Sequence, residues 1–327
     1  MATLTNLEAI RTALAEEMER DERVILMGED IGVHGGVFRA TDGLQARFGA
    51  HRVIDAPLAE LAIAGVAIGA AMTGLIPVVE MQFADYIHPA FDQIVNEAAK
   101  IRYRSGNDWS CPLVVRAPCG AVYPGGLYHS QSVEAYYAHV PGIKVVLPST
   151  PHDMKGLLKA AIRDPDPVVF FEHKKTYRSI KGEAPDEDFV VPIGVADVKR
   201  AGVDVSVITY GLMVHHALAA AEELALAGID VEVLDLRTLL PLDRDAILTT
   251  ARKTGKVLLL SEDTLTGSLT GELAAVIAED AFTSLDAPIR RLCTPDVAGM
   301  PYNLPQLEWL LPNVAKIAAA LRELALY

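Results

Sequence analysis

The chain has 327 residues, of which 51% are hydrophobic and 22% are charged, and its formal net charge is −14. This composition is typical of a soluble globular protein with room for two domains. The acidic balance, with a pI near 5.1, argues against nucleic acid or an anionic membrane as the main partner. The N-terminus shows no signal or transit peptide, and we predict a cytoplasmic protein.

Strands and helices alternate along the first half of the chain. Leu7, Ile10, Leu14 and Met18 recur at helical spacing and predict an amphipathic N-terminal helix. The segments that follow are a strand at 24–30, a glycine-bearing loop at 31–43, a helix at 58–74, a strand at 75–81, a long helical stretch at 88–106, a strand at 112–118, a glycine-rich loop at 119–132, a strand at 143–149, a helix at 151–162 and a strand at 167–173.

A second array follows a polar stretch at 174–200. Its predicted strands are 205–211, 229–236, 256–263 and 288–294, and its predicted helices are 215–228, 241–255, 270–282 and 312–324. Short apolar strands alternating with helices predict an α/β protein with two doubly wound parallel-sheet domains. We place a first domain at 1–178, a connector at 179–200 and a second domain at 201–327.

The least charged stretch, from Leu61 to Val79, approaches the length of a membrane span. Gly74 and Pro77 interrupt it, which predicts a helix followed by a strand instead. The small residues Gly65, Gly69 and Ala70 permit another helix to approach closely. We therefore predict a buried core or a subunit contact and no membrane association.

Glu60 is the only ionisable side chain between Pro57 and Val79. Burial of an unpartnered carboxyl group costs several kcal/mol or raises its pKa. We therefore expect Glu60 to meet a specific partner or to move a proton. The alternative is a structural acid at a helix start, near the positive end of the helix dipole.

Two further segments offer groups suited to chemistry. In Gln82–Phe91 a strand end delivers Gln82, Asp85 and Tyr86 into a turn at Pro89. In Gly125–Ser132 a loop places His129 among small and hydrogen-bonding residues, where a histidine can exchange a proton near neutral pH. A loop histidine can equally be structural or merely exposed.

The familiar phosphate, metal and nucleophile motifs are absent from the sequence. No GxGxxG follows a strand, and there is no Walker loop, HExxH or GxSxG. The GDG…N element that binds the metal and diphosphate in thiamine diphosphate enzymes is also missing. Cys111, Cys119 and Cys293 form neither a CxxC pair nor a metal spacing, so we expect buried, reduced thiols.

Long segments nevertheless resemble one family across nearly the whole chain. They are GEDIG, GGVFRATDGL, APLAELAIAG, EMQFADYIHPAFDQIVNEAAKIRYRSG, GGLYHSQSVEAYYAH and PGIKVVLPSTPHDMKGLLKAAIRDPDPVVFFEHK. This chain resembles the β subunit of the thiamine diphosphate-dependent E1 component of 2-oxo acid dehydrogenase complexes. FADYIHPAFDQI, RYRSG and LYHSQSVEA are most similar to the branched-chain (2-oxoisovalerate) type, whereas TPDVAGMPYNLPQLE is closer to pyruvate- or acetoin-type relatives.

The resemblance implies roles for individual residues. Glu60 corresponds to the glutamate that hydrogen-bonds N1′ of the cofactor's aminopyrimidine ring, and Tyr86 to a tyrosine that contacts the cofactor. Gln82 and Leu58 would be neighbours in the pyrimidine pocket. His129 corresponds to the histidine that assists acyl transfer to the lipoyl group, although Tyr123 and Pro124 stand just before it where relatives commonly have glycine or histidine.

The resemblance also implies metal ions and partner proteins. An α subunit would share thiamine diphosphate, carry the Mg²⁺ site and complete an α2β2 heterotetramer. An E2 acyltransferase core would present its lipoyl domain to this assembly. Several branched-chain relatives hold a structural K⁺ through backbone carbonyls. The matching positions here are near Leu113, Val114, Ala161, Asp164 and Asp166.

The implied reaction is decarboxylation of a 2-oxo acid followed by reductive acylation of the lipoyl group of E2, with no activity expected from the chain alone. Three alternatives remain open. The first is a pyruvate or acetoin dehydrogenase E1 β subunit, and the second is a transketolase-like protein reduced to its pyrimidine-binding half. The third is a non-catalytic scaffold within a transketolase-like assembly.

Overall fold

The computed structural model describes all residues from Met1 to Tyr327. The chain divides into two compact units. The first unit comprises Met1–Cys119 and Tyr136–Ile193, and the second comprises Gly120–Ala135 and Gly194–Tyr327. The segment with His129 therefore belongs to the second unit. The domain boundaries proposed from the sequence, 1–178, 179–200 and 201–327, stay a prediction.

Eight strands and seven helices are found up to Ile193. The strands are β1 (Ala2–Thr5), β2 (Val24–Gly28), β3 (Val53–Asp55), β4 (Ile76–Glu80), β5 (Val114–Cys119), β6 (Lys144–Val146), β7 (Val168–His173) and β8 (Lys181–Ala184). The helices are α1 (Asn6–Arg20), α2 (Leu44–Phe48), α3 (Glu60–Met72), α4 (Ile101–Arg104), α5 (Glu134–Ala138), α6 (Pro151–Ile162) and α7 (Thr176–Ser179).

The main sheet of the first unit is parallel, and its strands follow the order β6-β7-β5-β4-β2-β3. The chain passes from β2 to β3 on one side and then to β4 on the other, so β2 lies at the switch point where open α/β sheets bind ligands. A separate antiparallel pair joins β1 to β8. The stretch 179–200, predicted as a connector, contains β8 and a further complete strand at Asp197–Arg200.

Helix α1 shows why the local sequence folds as predicted. A capping box at its start joins the Thr5 side chain to the Glu8 backbone N–H and the Glu8 carboxylate to the Thr5 backbone N–H. Leu7, Ile10 and Leu14 are buried in the core of the first unit, as their spacing predicted. Helix α3 ends at Met72, before Gly74, which adopts a φ of +100° that favours glycine.

The long helix predicted over 88–106 is interrupted, which corrects the sequence-based expectation. A 3₁₀ turn at His88–Ala90, a π-helical segment at Gln93–Glu97 and a second 3₁₀ turn at Ala98–Lys100 precede α4. The wider π turn shifts the register of the residues that follow, so periodicity over this stretch does not correspond to one regular helix.

The second unit is built around a five-stranded sheet. The strands of this part of the chain are β9 (Asp197–Arg200), β10 (Val205–Thr209), β11 (Val231–Asp235), β12 (Thr238–Leu240), β13 (Val257–Thr264) and β14 (Arg290–Thr294). The helices are α8 (Leu212–Ala225), α9 (Arg244–Thr254), α10 (Leu269–Ala281), α11 (Leu304–Leu310) and α12 (Val314–Ala325).

The strand order in the second unit is β14-β13-β10-β11-β9. All neighbours are parallel except β9, which pairs antiparallel with β11 at the sheet edge. Such an edge strand is common on an otherwise parallel sheet. The expected α/β architecture with two mostly parallel sheets is confirmed.

Two smaller expectations can be compared with the structure. None of the helices combines the length and the apolar character that crossing a bilayer requires. Cys111, Cys119 and Cys293 are all buried and form no disulfide. Burial raises the pKa of the Cys111 thiol to about 12, which suits its predicted role as a small hydrophobic core residue.

Candidate active site

The first part of the candidate site lies at the carboxyl ends of β2 and β4. The parallel register pairs Gly28 with Glu80, so the residues that follow these two strands emerge side by side. Glu29 follows β2, and Gln82 lies two residues beyond β4. The chain after β3 returns to the same edge through Ala56, whose N–H donates to the Gly28 carbonyl (2.8 Å).

Glu60 is the first residue of α3 and is only half-buried. The burial that its apolar sequence context suggested for Glu60 is therefore only partial in this chain. Two of the apolar residues beside it in sequence are exposed, since Leu58 is 80% exposed and Leu61 is 51% exposed. The first turn of a helix still favours a negative charge at this position. Any sequestration of Glu60 from water must come from another molecule.

Glu29 is the buried acid of this site, and the sequence analysis missed it. Its side chain is buried, and Oε1 has no hydrogen-bond donor. Burial and the nearby charge of Glu60 raise the pKa of Glu29, while the backbone N–H of Ala59 opposes the increase. The available signal was the acid's position directly after VILMG, a strand buried at every residue.

Tyr86 lies close enough to Glu60 for the charge of that acid to act on its hydroxyl. Burial raises the pKa of the Tyr86 hydroxyl, and the charges of Asp85 and Glu60 raise it further. The ring of Tyr86 makes an edge-to-face contact with Phe83, with ring centroids 5.7 Å apart. Tyr86 is thus oriented by aromatic packing beside the acids.

The other two predicted pocket residues, Gln82 and Leu58, differ from each other in their surroundings. Gln82 Nε2 lies 3.5 Å from Asp30 Oδ2, at the outer limit of a hydrogen bond. Leu58 is on the surface and contributes an exposed apolar side chain next to Glu60. The first unit therefore brings together Glu29, Glu60 and Tyr86, with Gln82 held near the adjoining Asp30.

His129 is half-buried in the second unit. It borders an open cavity of about 390 Å³, whose walls come from its own loop and from a segment before α11. The lining residues are Gly125, Gly126, Leu127, Tyr128, His129, Met300, Pro301 and Tyr302. A histidine at the edge of such a cavity can exchange a proton with a ligand bound there.

The residues proposed for K⁺ lie around the start of β5 and the end of α6. The Leu113 carbonyl accepts the Val168 N–H (2.8 Å), and the Ala161 carbonyl accepts the Asp164 N–H (3.3 Å). The Asp164 carboxylate bonds Lys144 Nζ (2.6 Å) and the Asp166 N–H (2.9 Å). These two carbonyl groups already accept hydrogen bonds from the backbone, and the K⁺ site stays a prediction.

The structure contains no group of three or more His, Cys, Asp or Glu side chains arranged to hold a metal.

Comparison with known proteins places this chain in a family. Two family models match the chain: "Transketolase, pyrimidine binding domain" over residues 2–180 and "Transketolase, C-terminal domain" over residues 194–317. A "2-oxoisovalerate dehydrogenase subunit beta" of Bacillus subtilis is 61% identical over 325 residues, which is 99% of both chains. The chain belongs to the β subunits of 2-oxo acid dehydrogenase E1 components.

Other relatives of this E1 β chain are less similar. A "Pyruvate dehydrogenase E1 component subunit beta" of Bacillus subtilis is 47% identical over 313 residues, 96% of each chain. A solved structure described as "Split gene transketolase, inactive beta4 tetramer" superposes with a TM-score of 0.79 at 25% identity, covering 99% of this chain and 98% of that one. The resemblance to the 2-oxoisovalerate type is confirmed, since identity to that relative exceeds identity to the pyruvate one.

Proposed function

We propose that this chain is the β subunit of a branched-chain 2-oxo acid dehydrogenase E1. With an α subunit it decarboxylates a branched-chain 2-oxo acid and reductively acylates the lipoyl group of an E2. The 61% identity to the 2-oxoisovalerate relative over 325 residues is the observation that carries the proposal. The acids and the tyrosine at the β2 and β4 strand ends support it independently.

The residues at those strand ends fit the aminopyrimidine half of thiamine diphosphate. Glu29 Oε1 is buried without a donor, which suits a site that a polar ring completes. The Glu60 carboxyl group would hydrogen-bond N1′ of the ring, and Tyr86, Gln82 and Leu58 would help to hold the ring. When bound, thiamine diphosphate supplies the carbanion chemistry of decarboxylation, and this chain orients it and excludes water.

His129 would serve the second half-reaction. Its role is to hold a proton close to a sulfur of the lipoyl dithiolane while the acyl group is transferred. The adjoining apolar cavity is suited to a ring of this kind, because its walls are glycine, leucine, methionine and aromatic side chains.

Dependence on an α subunit is supported by the exposed face of α3. Leu61, Val66 and Met72 are 51%, 60% and 42% exposed on one helix. A cluster of large apolar side chains at the surface is typical of a protein interface. The partner would cover Glu60, and it would supply the diphosphate and Mg²⁺ contacts for which this sequence has no GDG…N element.

The decisive experiment is co-expression with a chain that contains GDG…N, followed by assay of the purified pair. We expect a higher kcat/KM for 3-methyl-2-oxobutanoate than for pyruvate, and negligible turnover by this chain alone. A preference for pyruvate would move the chain to the pyruvate type, which the 47% identical relative represents. Robust turnover without an α chain would refute the subunit assignment.

A further inference from the structure

The segment Gly120–Ala135, with His129 near its centre, is attached near its start to Glu262 of β13 and near its end to Tyr210, which directly follows β10. At its start the Ala121 N–H donates to Glu262 Oε1 (2.6 Å). Within the segment the Gly120 N–H donates to the Gln131 carbonyl (2.9 Å), which closes a loop around the histidine. Polar contacts to β13 thus help to hold the His129 segment in the second unit, together with the apolar packing of Ala121 against Met300, Leu307 and Leu310.

The attachment at the other end runs through Glu134. Strands β10 and β13 are parallel with Ile208 opposite Leu259, so Tyr210 and Ser261, two residues further on, emerge together. The Tyr210 hydroxyl donates to Glu134 Oε1 (2.9 Å) and lies 2.8 Å from Ser261 Oγ. Because the tyrosine proton goes to Glu134, Ser261 donates to Tyr210. Glu134, Tyr210 and Ser261 form one buried chain of hydroxyl and carboxyl groups.

This arrangement suits a neutral carboxyl group better than an anion. Glu134 is 1% exposed, and its second oxygen, Oε2, is buried without a hydrogen-bond partner. A buried carboxylate needs donors on both oxygens or a cation, and its desolvation is otherwise costly. The charged groups that face Glu134 are Asp263 and Glu262 of β13, and both are acidic.

The electrostatics agree with this geometry. Burial and the charge of Asp263 raise the pKa of Glu134 to about 8, with a smaller increase from Glu262. Its own backbone N–H and the Tyr210 hydroxyl act in the opposite direction. Burial also raises the pKa of Asp263, to about 6, against the hydrogen bonds from Thr264. Above these values the cluster gathers negative charges that repel one another.

We propose that Glu134 is a positioning residue for the lipoyl half-reaction, which in its neutral form ties the His129 segment to Tyr210 and Ser261. The inference rests on the proposed role of His129. Ionisation of Glu134 places a buried charge beside Asp263 and Glu262, and the resulting repulsion and desolvation cost outweigh the stronger hydrogen bond from Tyr210 and loosen the segment. Lipoyl acylation thereby becomes sensitive to pH through a residue that does not touch the substrate.

The first test follows the segment itself and needs no activity. Hydrogen–deuterium exchange of the full chain is measured from pH 6.5 to pH 9 and expressed as protection factors for peptides within 120–135. We expect wild-type protection to fall roughly fivefold between pH 8 and pH 9, as the neutral fraction of a group with a pKa of about 8 does. In Glu134→Gln, whose amide presents the same acceptor and one donor group, protection stays constant.

The matched control is Glu279→Gln, because Glu279 lies on the exposed face of α10 in the same unit. It should behave as wild type. Tyr210→Phe removes the central hydroxyl and should lower protection of the segment at every pH, which provides a second test where Glu134→Gln fails to fold. Equal loss of protection in wild type and Glu134→Gln at pH 9 would overturn the proposal.

The second test uses the pair with the α subunit and compares two assays. We expect acylation of the E2 lipoyl domain to fall roughly fivefold from pH 8 to pH 9 in wild type and to stay level in Glu134→Gln. Decarboxylation with an artificial electron acceptor should not distinguish them. A fall in acylation shared by both proteins would assign the titration to another group and refute our inference. Absence of decarboxylation in every protein would refute the proposed function instead, and the exchange experiment would still decide the role of Glu134.

Discussion

Each unit of the molecule buries a cluster of acids with one tyrosine, but only the cluster in the first unit contains an arginine. In the first unit Arg116 Nη1 bonds Glu80 (2.7 Å), and its Nε and Nη2 bond Glu172 (2.7 and 2.9 Å). The Tyr177 hydroxyl donates to the same Glu172 (2.5 Å). In the second unit Tyr210 donates to Glu134, but hydroxyl groups stand where the first unit has a guanidinium.

The guanidinium decides whether the cluster can change its charge. Burial alone would lower the pKa of Arg116, but Glu172 and Glu80 raise it, so the arginine stays charged. Burial raises the pKa of Glu80, and Arg116 opposes that increase. The charged neighbours of Glu134, Asp263 and Glu262, are acids, so their charges raise its pKa further instead of lowering it. A buried acid paired with arginine supports the fold, whereas one facing other acids retains its proton and responds to pH.

The proposed catalytic groups of the two units differ in how completely this chain surrounds them. Glu60 is half-buried and borders an exposed apolar surface, so its surroundings are incomplete without a partner. The His129 segment is attached within its own unit by Glu134 and Glu262. Defects in the first region should therefore appear in the assembled enzyme, whereas defects in the second should also appear in the chain alone.

The largest expected effect is that of Glu60→Gln. In the reconstituted pair we expect decarboxylation to fall by about 10²- to 10⁴-fold, because proton transfer by a positioned side chain contributes that much. The urea midpoint of the isolated chain should not change, since Glu60 is half-buried and its surroundings are open. Glu22→Gln, at an exposed acid of the first unit, is the control. Near-normal decarboxylation by Glu60→Gln would remove Glu60 from the reaction.

Arg116→Met should produce the largest loss of stability. It leaves Glu80 and Glu172 buried without their cation, and breaking a buried pair in this way costs about 3–5 kcal/mol. Urea unfolding followed by circular dichroism measures the change. Arg290→Met breaks an ion pair with Glu323 whose side chains are 51% and 65% exposed, and it should cost less than about 1 kcal/mol. Equal losses in the two variants would show that Arg116 has no special role in the first cluster.

The sequence could predict those features of the fold that depend on local patterns, but not those that depend on tertiary contacts. Alternating apolar strands and helices predicted both sheets, and the spacing of Leu7, Ile10 and Leu14 predicted α1, because these patterns are local. The π-helical turn at Gln93–Glu97 leaves no such local pattern, and the helix predicted there proved irregular. The antiparallel direction of β9 depends on tertiary pairing with β11, which no periodicity reports.

Among the site residues, Gln82, Tyr86 and His129 were accessible to reasoning from sequence, whereas Glu29 was missed although it directly follows β2. Gln82 and Tyr86 follow β4, and the loop position of His129 was evident from its glycines. The burial predicted for Glu60 is only partial, because apolar neighbours in sequence are not all buried neighbours in space. Glu134 was overlooked because its environment is made by Tyr210 and Ser261, which lie 76 residues and more further along the chain.

His129→Ala should separate the two half-reactions. Lipoyl acylation in the reconstituted pair should fall by about 10²-fold through loss of a proton donor, while decarboxylation with an artificial acceptor should persist. His139→Ala, at an exposed histidine shortly after the segment, is the control. If acylation survives in His129→Ala, the second unit contributes no proton to the reaction, and the comparison between units holds for stability alone.

A change that is gradual in each pH unit is expected in the pH dependence of stability. The pKa of Glu134 is about 8 in the fold and near 4.5 in the unfolded chain. The folded state therefore binds the extra proton between these values, and the contribution of Glu134 to the free energy of unfolding decreases as pH rises through this window. One proton corresponds to at most about 1.4 kcal/mol per pH unit. Because other groups titrate alike in both proteins, the stability of Glu134→Gln relative to wild type should increase with pH up to about 8 and then level off. A constant difference from pH 5 to pH 9 would mean that Glu134 is ionised in the fold, and the second cluster would then resemble the first.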